Sequence, residues 1–256
     1  MLGTQEAEMP KLEVRTSGQG RPLVVLHGSP QDPRDLDEMC TFLALHAEVH
    51  RVAMPGYGHS VQDFDWNQAN DLLRLYVDAL ERPVLLGVSG GAYRALALAA
   101  NGASLSGVLS IGGFAHLEAE MAEGLNQAAS ALEQGVDLTD TLVGLWFSPT
   151  YAKKNAEKCR RVVAAYLKAA SAEVIAADVR SLTGAPDLRS KLRNIDVPIR
   201  ILVGELDAAT PMILSEAIRD AAPESELEVV WEAGHLVLHE ARERVFAWSG
   251  GALATL

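Results

Sequence analysis

The sequence predicts an α/β fold in which a mostly parallel sheet is flanked by helices. Short apolar runs with the length of buried strands recur along the chain, and stretches with apolar residues at helical spacing separate them. The first two strands bracket a Ser-Gly-Gln-Gly turn and are predicted to pair with each other. The predicted strands cover residues 12–16, 23–26, 49–53, 84–88, 107–111, 199–203 and 227–231.

A Gly-Val-Ser-Gly-Gly motif, residues 87–91, lies between the fourth strand and an alanine-rich helical stretch at residues 92–100. A chain that exposes a serine oxygen at such a turn must reverse so sharply that the residues two before and two after the serine crowd each other. Glycine fits these positions because it has no side chain. We therefore predict that Ser89 lies in a strained turn, a conformation that is typical of functional sites.

Polar motifs also follow three other predicted strands. The second strand ends in His-Gly-Ser-Pro at residues 27–30, the sixth in Gly-Glu-Leu-Asp at 204–207, and the last in Glu-Ala-Gly-His at 232–235. Ser89, Asp207 and His235 thus appear in the order nucleophile, acid and base. Each stands just past the carboxyl end of a strand, where open α/β sheets form their ligand crevice.

With these motifs the chain resembles the α/β-hydrolase family over nearly its whole length. Residues 55–60, Pro-Gly-Tyr-Gly-His-Ser, are similar to the Pro-Gly-x-Gly-x-Ser loop of that family. The chain departs from many members at residues 51–54, where it lacks an acidic residue ahead of the proline. The resemblance implies the α/β-hydrolase fold and a triad of Ser89, Asp207 and His235.

Each member of this predicted triad has an alternative, and Ser89 could be only a turn serine between a strand and a helix. Asp207 could serve only in an Asx turn, and Glu205 is a nearby carboxylate. The family's Gly-x-x-Asp spacing favours Asp207, and its Gly-His step after the last strand favours His235 over His239. A metal site at His235, His239 and Glu240 is disfavoured because the order of the residues is not His-Glu-x-x-His.

The predicted chemistry is acyl transfer through a serine nucleophile. His235 would take the proton of Ser89 as it attacks an acyl carbon, and Asp207 would orient the imidazole. The backbone N–H groups of Ser29 and Gly90 would bind the oxyanion. Water would then cleave the acyl-enzyme, so this chemistry calls for no cofactor and no metal.

The sequence between the fifth and sixth predicted strands contains no strand candidate and is predicted to form helices only. Apolar residues recur there at helical spacing, and in the family an insertion at this point forms a helical cap. We predict a cap over Ser89 at residues 114–193 and a core domain formed by residues 1–113 and 194–256. The helical repeats are Leu117, Met121, Leu125, Ala128 and Leu132, followed by Val163, Tyr166, Leu167 and Ala170.

Part of this interval is similar to the cap of 3-oxoadipate enol-lactonase-like hydrolases, which implies a small carboxylic ester or lactone as substrate. The similarity rests on residues 145–151, the Arg160-Arg161 pair and residues 185–192. Trp146 and Phe147 either line the substrate pocket or pack the cap on the core. Arg160 and Arg161 either bind a substrate carboxylate or lie on a solvated helix face.

Composition restricts the partners and the location. The 256-residue chain is long enough for one large core, and its net charge of −12 disfavours nucleic acid and anionic membrane surfaces. Residues 1–10 resemble no secretory signal, which predicts a cytoplasmic protein. Cys40 and Cys159 match no metal or redox spacing. The sequence does not indicate an oligomeric state.

Several functions share the predicted triad. A serine at residue 89 excludes the haloalkane dehalogenases and epoxide hydrolases, which use a carboxylate nucleophile. A carbon–carbon bond hydrolase and a biosynthetic thioesterase or cyclase would keep the same three residues. A non-catalytic receptor on this fold is a further alternative.

Overall fold

The computed structural model describes residues 12–60 and 65–256, and the predicted absence of a secretory signal at residues 1–10 lies outside these residues. Its centre is a seven-stranded sheet with the order β1-β3-β2-β4-β5-β6-β7. β1 runs antiparallel to β3, and the remaining pairs are parallel. The strands are Glu13–Ser17 (β1), Pro22–Leu26 (β2), Glu48–Ala53 (β3), Val84–Val88 (β4), Gly107–Ile111 (β5), Ile199–Gly204 (β6) and Ser225–Val230 (β7).

Helices follow most strands and cover the sheet, and a short 3₁₀ turn at Pro33–Leu36 precedes the first. This arrangement confirms the predicted fold class. The helices are Asp37–Leu43 (α1), Trp66–Asp78 (α2), Gly90–Ala100 (α3), Ala119–Glu133 (α4), Thr139–Trp146 (α5), Pro149–Lys154 (α6), Ala156–Tyr166 (α7), Ala172–Thr183 (α8), Arg189–Leu192 (α9), Met212–Ala221 (α10), Val237–Glu240 (α11) and Arg242–Thr255 (α12).

The core lies on both faces of the sheet because successive side chains of a strand point to opposite faces. In β2, Val24 and Leu26 belong to one apolar cluster, and Leu23 and Val25 belong to another on the opposite face. All four side chains are fully buried. The fully apolar strands therefore occupy the centre of the sheet, where helices cover both faces.

The predicted pairing of the first two strands is wrong. β1 pairs with β3 instead, at the edge of the sheet, while β2 lies between β3 and β4. β1 carries polar, exposed residues such as Arg15 and is therefore suited to an edge, whereas β2 is buried at every position after Pro22. The linking chain crosses closely over the segment before β3: a Cβ at Gly18, where φ is +80°, would lie 2.2 Å from the carbonyl oxygen of Ala47.

Residues 114–193 contain only helices, α4 to α9, as the sequence predicted. Five of them form two packed groups, because α4 packs on α8 while α5 packs on α6 and α7; α9 packs instead on α3 and α10. A third apolar cluster, which includes Trp146, Val163 and Tyr166, joins the second group to Leu236 next to the last strand. Side chains of α4, α5, α7 and α8 line one cavity together with Val88, the last residue of β4.

Candidate active site

Ser89 lies in the turn between β4 and α3, with φ of 51° and ψ of −118°. A Cβ on Gly87 would lie 2.4 Å from the carbonyl oxygen of Gly91, and a Cβ on Gly91 would lie 2.4 Å from that of Leu26 in β2. Neighbouring backbone atoms therefore leave no room for a side chain at Gly87 or at Gly91. The predicted strained serine is present in the structure, because a non-glycine residue rarely adopts a positive φ.

Hydrogen bonds connect Ser89, His235 and Asp207 in a line. The Ser89 Oγ lies 3.1 Å from the His235 Nε2, and the His235 Nδ1 lies 2.8 Å from an Asp207 carboxylate oxygen. The Asp207 side chain is fully buried and the imidazole nearly so. Because a carboxylate only accepts, Nδ1 carries the proton, and Nε2 is free to accept one from the serine.

Thr210, which the sequence did not single out, holds this carboxylate in place. The second Asp207 oxygen accepts hydrogen bonds from the backbone N–H groups of Ala209 (3.0 Å) and Thr210 (2.7 Å). The Thr210 Oγ1 lies 2.9 Å from Asp207, 3.1 Å from the His235 Nδ1 and 2.8 Å from the Gly112 carbonyl oxygen. Asp207 therefore forms an Asx turn and orients the imidazole at the same time.

The alternative residues from the sequence analysis have other partners. Glu205 accepts a hydrogen bond from the backbone N–H of Glu232. Glu240 accepts from both the backbone and the hydroxyl of Ser148. His239 contacts Asp35, whose carboxylate lies 3.2 Å from its Nε2. His239 and Glu240 thus face different groups from those that face His235, and the three do not converge on one point.

The loop that contains Gly28 and Ser29 lies close to Ser89 and Gly90. The Ser29 Cβ lies 3.4 Å from the position that a Cβ on Gly90 would take, and Gly28 approaches Ser89 equally closely. Neither amide donates to an acceptor within residues 12–60 and 65–256. The Gln31 side chain accepts a hydrogen bond of 2.7 Å from the Gly28 N–H, which fixes this loop. Gln31 carried no signal in the sequence.

His27 supports the same loop from below. Its Nε2 accepts from the Met54 N–H at 3.0 Å, so its Nδ1 donates to the Gly28 carbonyl oxygen at 2.8 Å. Complete burial lowers the pKa of His27 from its ordinary value to about 4. The ring is therefore neutral at physiological pH, and both its nitrogens are occupied by backbone groups.

A cavity of about 370 Å³ opens in front of Ser89. Its wall includes Ser29, Gly90 and His235 on the core side and apolar side chains of α4, α5 and α8 on the other. No Asp, Glu, Lys or Arg of the described residues lines it. The cavity wall is therefore largely apolar, and its polar groups, apart from Thr141 on α5, lie close to Ser89.

The structure separates the two aromatic residues that were predicted to bind substrate. Trp146 borders the cavity, whereas Phe147 does not. Phe147 stacks on Tyr151, with ring centroids 5.7 Å apart, and meets the ring of His239 edge-on. Phe147 therefore packs against neighbouring side chains, which was the second of the two roles considered for it from the sequence.

Arg160 and Arg161 lie on an exposed face of α7, away from the cavity. Arg160 pairs with Asp140 at 2.7 Å, and Arg161 pairs with Glu157, four residues earlier on the same helix, at 2.7 Å. More than half of each arginine side chain is exposed. Both residues therefore match the predicted alternative of a solvated helix face.

The part of the chain that the structure covers has neither a membrane-spanning helix nor a cluster of metal ligands. None of its helices combines the length and the apolar character needed to cross a membrane. Its His, Cys, Asp and Glu side chains form no group of three or more that could hold a metal ion. Cys40 and Cys159 are both free and buried.

Comparison with known proteins identifies the family. Residues 23–248 match the Alpha/beta hydrolase family. The chain is 28% identical over 242 residues to a pimeloyl-(acyl-carrier protein) methyl ester esterase of Pectobacterium atrosepticum, a match that covers 89% of this chain and 92% of that protein.

Solved structures share the fold. A thermophilic esterase from Thermogutta terrifontis superposes with a TM-score of 0.84 at 24% identity, covering 95% of this chain and 93% of that one. The enol-lactonase from Burkholderia xenovorans gives a TM-score of 0.80 at 21% identity, with 96% of both chains covered. The resemblance found in the sequence is thereby confirmed, and the chain belongs to the alpha/beta hydrolase family.

Proposed function

We propose that the protein is a serine hydrolase that cleaves a small, uncharged carboxylic ester or lactone through an acyl-enzyme intermediate. One observation carries this proposal: the hydrogen-bonded line from Asp207 through His235 to Ser89 ends in an apolar cavity. The match to esterases of comparable length agrees with it, because the Pectobacterium protein is named for the hydrolysis of a methyl ester.

In the acylation step, the Ser89 Oγ attacks the carbonyl carbon of the substrate while its proton passes to the His235 Nε2. The negative oxygen of the tetrahedral intermediate accepts hydrogen bonds from the Ser29 and Gly90 amides, which have no other acceptor among the described residues. Asp207 stabilises the imidazolium that has formed. Collapse of the intermediate breaks the ester bond, and the departing alkoxide takes the proton from His235.

In the deacylation step, water takes the place of the alcohol. His235 removes a proton from the water as its oxygen attacks the acyl carbon, and the oxyanion again lies against Ser29 and Gly90. When this second intermediate collapses, Ser89 regains the proton and the carboxylic acid is released. Every step uses groups of this chain, the substrate and water.

We further propose that residues 114–193 form a cap on a core made of residues 1–113 and 194–256. α4, α5 and α8 supply most of the cavity wall that faces Ser89, so substrate reaches the nucleophile beneath them. Trp146 is our candidate for substrate contact within the cap. A dicarboxylate lactone fits less well than a neutral ester because no basic side chain of the described residues lines the cavity. The cytoplasmic location stays a prediction from the sequence.

The decisive experiment is labelling with a fluorophosphonate probe together with hydrolysis of short-chain p-nitrophenyl esters. We expect the wild type to be labelled and active, and Ser89→Ala to lose both properties, with kcat reduced by about 10⁴ or more. Ser104→Ala, a change at an exposed serine, should behave like the wild type. Hydrolysis by Ser89→Ala at the wild-type rate would refute the assignment of the nucleophile. A wild type that neither labels nor hydrolyses any ester would favour a non-catalytic receptor.

The base is tested by a pair of histidine variants. His235→Ala should be inactive, because no other ring in the described chain contacts the Ser89 Oγ. His239→Ala should stay largely active, because that imidazole contacts Asp35 and Tyr166 instead. The opposite result would move the base to His239.

A further inference from the structure

The cavity in front of Ser89 runs between the two packed groups of helices in residues 114–193. α4 and α8, which pack on each other, form one wall, and α5 with the end of α7 forms the other. Along α4 the lining extends from Met121 to Leu132, which is about 16 Å at 1.5 Å per residue. The cavity is therefore elongated along the helix and apolar over most of that length.

The outer end of this cavity reaches solvent between α4 and α5. Leu125 and Leu145 both line the cavity, yet 36% and 39% of their surfaces are exposed. Gly124 of α4 and Thr141 of α5 also line the cavity and are exposed as well. We call these four residues the outer mouth. Two of them are large apolar side chains, an arrangement that suits an apolar group passing between them.

Gly124 is the unusual residue of the outer mouth. It lies in the middle of α4, with no positive φ that would call for glycine, and a Cβ placed on it would meet no atom within 4 Å. Glycine inside a helix is destabilising relative to alanine. Neither the backbone nor the packing requires a glycine here, whereas a larger side chain would occupy the space between α4 and α5.

We propose that the cavity binds an unbranched alkyl chain of the substrate, and that Gly124 keeps the outer mouth open so that this chain can extend toward solvent. The inference rests on the proposed function, because it describes the substrate class of the Ser89 site. Apart from Thr141 at the outer mouth, the polar groups of the wall lie at the inner end, beside Ser89, where an ester would react. The remaining wall gives each methylene an apolar surface to cover, worth roughly fourfold in binding for each one buried.

The test compares chain lengths in two glycine variants. Gly124→Leu should fill the outer mouth. Gly144→Leu is the matched control, because Gly144 is also an exposed helical glycine whose Cβ would meet no atom, and it does not line the cavity. For the wild type we expect kcat/KM to be at least about tenfold higher for p-nitrophenyl octanoate than for the butyrate. Gly124→Leu should lower the octanoate value about tenfold and leave butyrate within about twofold, and Gly144→Leu should change neither.

Two additional measurements complete the design. Octyl acetate, compared with methyl octanoate, shows whether the channel takes the alcohol or the acyl side of the ester. Binding of methyl octanoate to Ser89→Ala, with and without Gly124→Leu, tests the channel without hydrolysis, and Gly124→Leu should weaken this binding about tenfold. Circular dichroism shows whether each variant is folded.

The outcomes separate the two proposals. If the wild type hydrolyses esters but prefers butyrate, or if the two glycine variants behave alike, the channel inference fails while the proposed function stands. If no ester is cleaved but Ser89→Ala still binds methyl octanoate in a manner that depends on Gly124, the proposed function fails and the channel stands.

Discussion

The guanidinium of Arg94 lies 2.5 Å from a carboxylate oxygen of Asp178, and both side chains are almost completely buried. Arg94 belongs to α3, which begins directly after Ser89, and Asp178 belongs to α8, which lines the cavity. Tyr57 donates to the second Asp178 oxygen at 2.8 Å. This buried pair therefore connects the helix of the nucleophile to the helical segment above it.

Breaking this pair on one side should destabilise the protein strongly. In Asp178→Ala the Arg94 charge stays buried without its counterion, so we expect the free energy of unfolding to fall by about 3–5 kcal/mol. The double variant Arg94→Met/Asp178→Leu removes both charges and should recover part of that loss. Urea denaturation measures both values. A loss below about 1 kcal/mol in Asp178→Ala would show that water or a rearrangement compensates for the missing carboxylate.

Features that depend on local sequence could be predicted. Burial of a strand requires a run of apolar residues, and a tight turn requires glycine. The central strands and the turn around Ser89 can therefore be recognised from residues that are consecutive in the sequence. Asp207 and His235 follow from their places after strands, because parallel strands bring their carboxyl ends to one edge of the sheet. The structure places His235 within hydrogen-bonding distance of both Ser89 and Asp207.

Features that depend on distant partners could not be predicted. β1 pairs with β3, some 35 residues away in the chain. Which of β1 and β2 takes the edge of the sheet and which a central position depends on the other strands of the sheet. Asp178 and Gln31 are ordinary polar residues in the sequence; their partners Arg94 and Tyr166 lie far away in the chain and become evident only in three dimensions. Phe147 adjoins Trp146 in the chain, but the end of a helix between them directs the two rings to different places.

Gln31 should act as a positioning residue for the oxyanion-binding loop. Its side chain accepts from the Gly28 N–H and donates to Asp35 and to Tyr166, both at 3.1 Å. In Gln31→Met these hydrogen bonds are lost and the Ser29 amide is held less firmly, so kcat should fall roughly tenfold to a hundredfold while KM changes little. Steady-state kinetics with a p-nitrophenyl ester gives both constants. Gln127→Met, at an exposed glutamine outside the cavity, is the control.

An equal rise in KM for Gln31→Met, with kcat unchanged, would point instead to a role in ground-state binding. Tyr166 and Gln31 both line the cavity, so this outcome has a physical basis. The split between kcat and KM therefore distinguishes a residue that holds the loop from one that merely shapes the pocket.

His27 should make the folded protein less stable in mild acid. Its pKa is about 4 in the folded protein but close to the ordinary value of about 6.5 in the unfolded chain. Between these values the unfolded chain binds a proton that the folded state does not, so the free energy of unfolding falls as the pH drops from about 6.5 to about 4. The full effect is roughly 3 kcal/mol.

Urea denaturation at several pH values checks this contribution. The stability of His27→Gln should depend less on pH across that window than the stability of the wild type, although its stability at neutral pH falls because two backbone partners are lost. His59→Gln, at an exposed histidine, should keep the wild-type dependence. An identical pH dependence in all three proteins would mean that His27 is protonated in the folded state well above pH 4.

Substrate charge should distinguish this protein from a dedicated enol-lactonase. A carboxylate that enters the cavity would lose its hydration without gaining a counterion, because no basic residue of the described chain lines the wall. We therefore expect kcat/KM for a neutral short-chain ester to exceed that for 3-oxoadipate enol-lactone by at least about a hundredfold. Arg160→Ala and Arg161→Ala should change neither value by more than about twofold, because both side chains are exposed and paired on the surface. A preference for the charged lactone that either alanine variant abolishes would show that α7 moves to bring an arginine into the site.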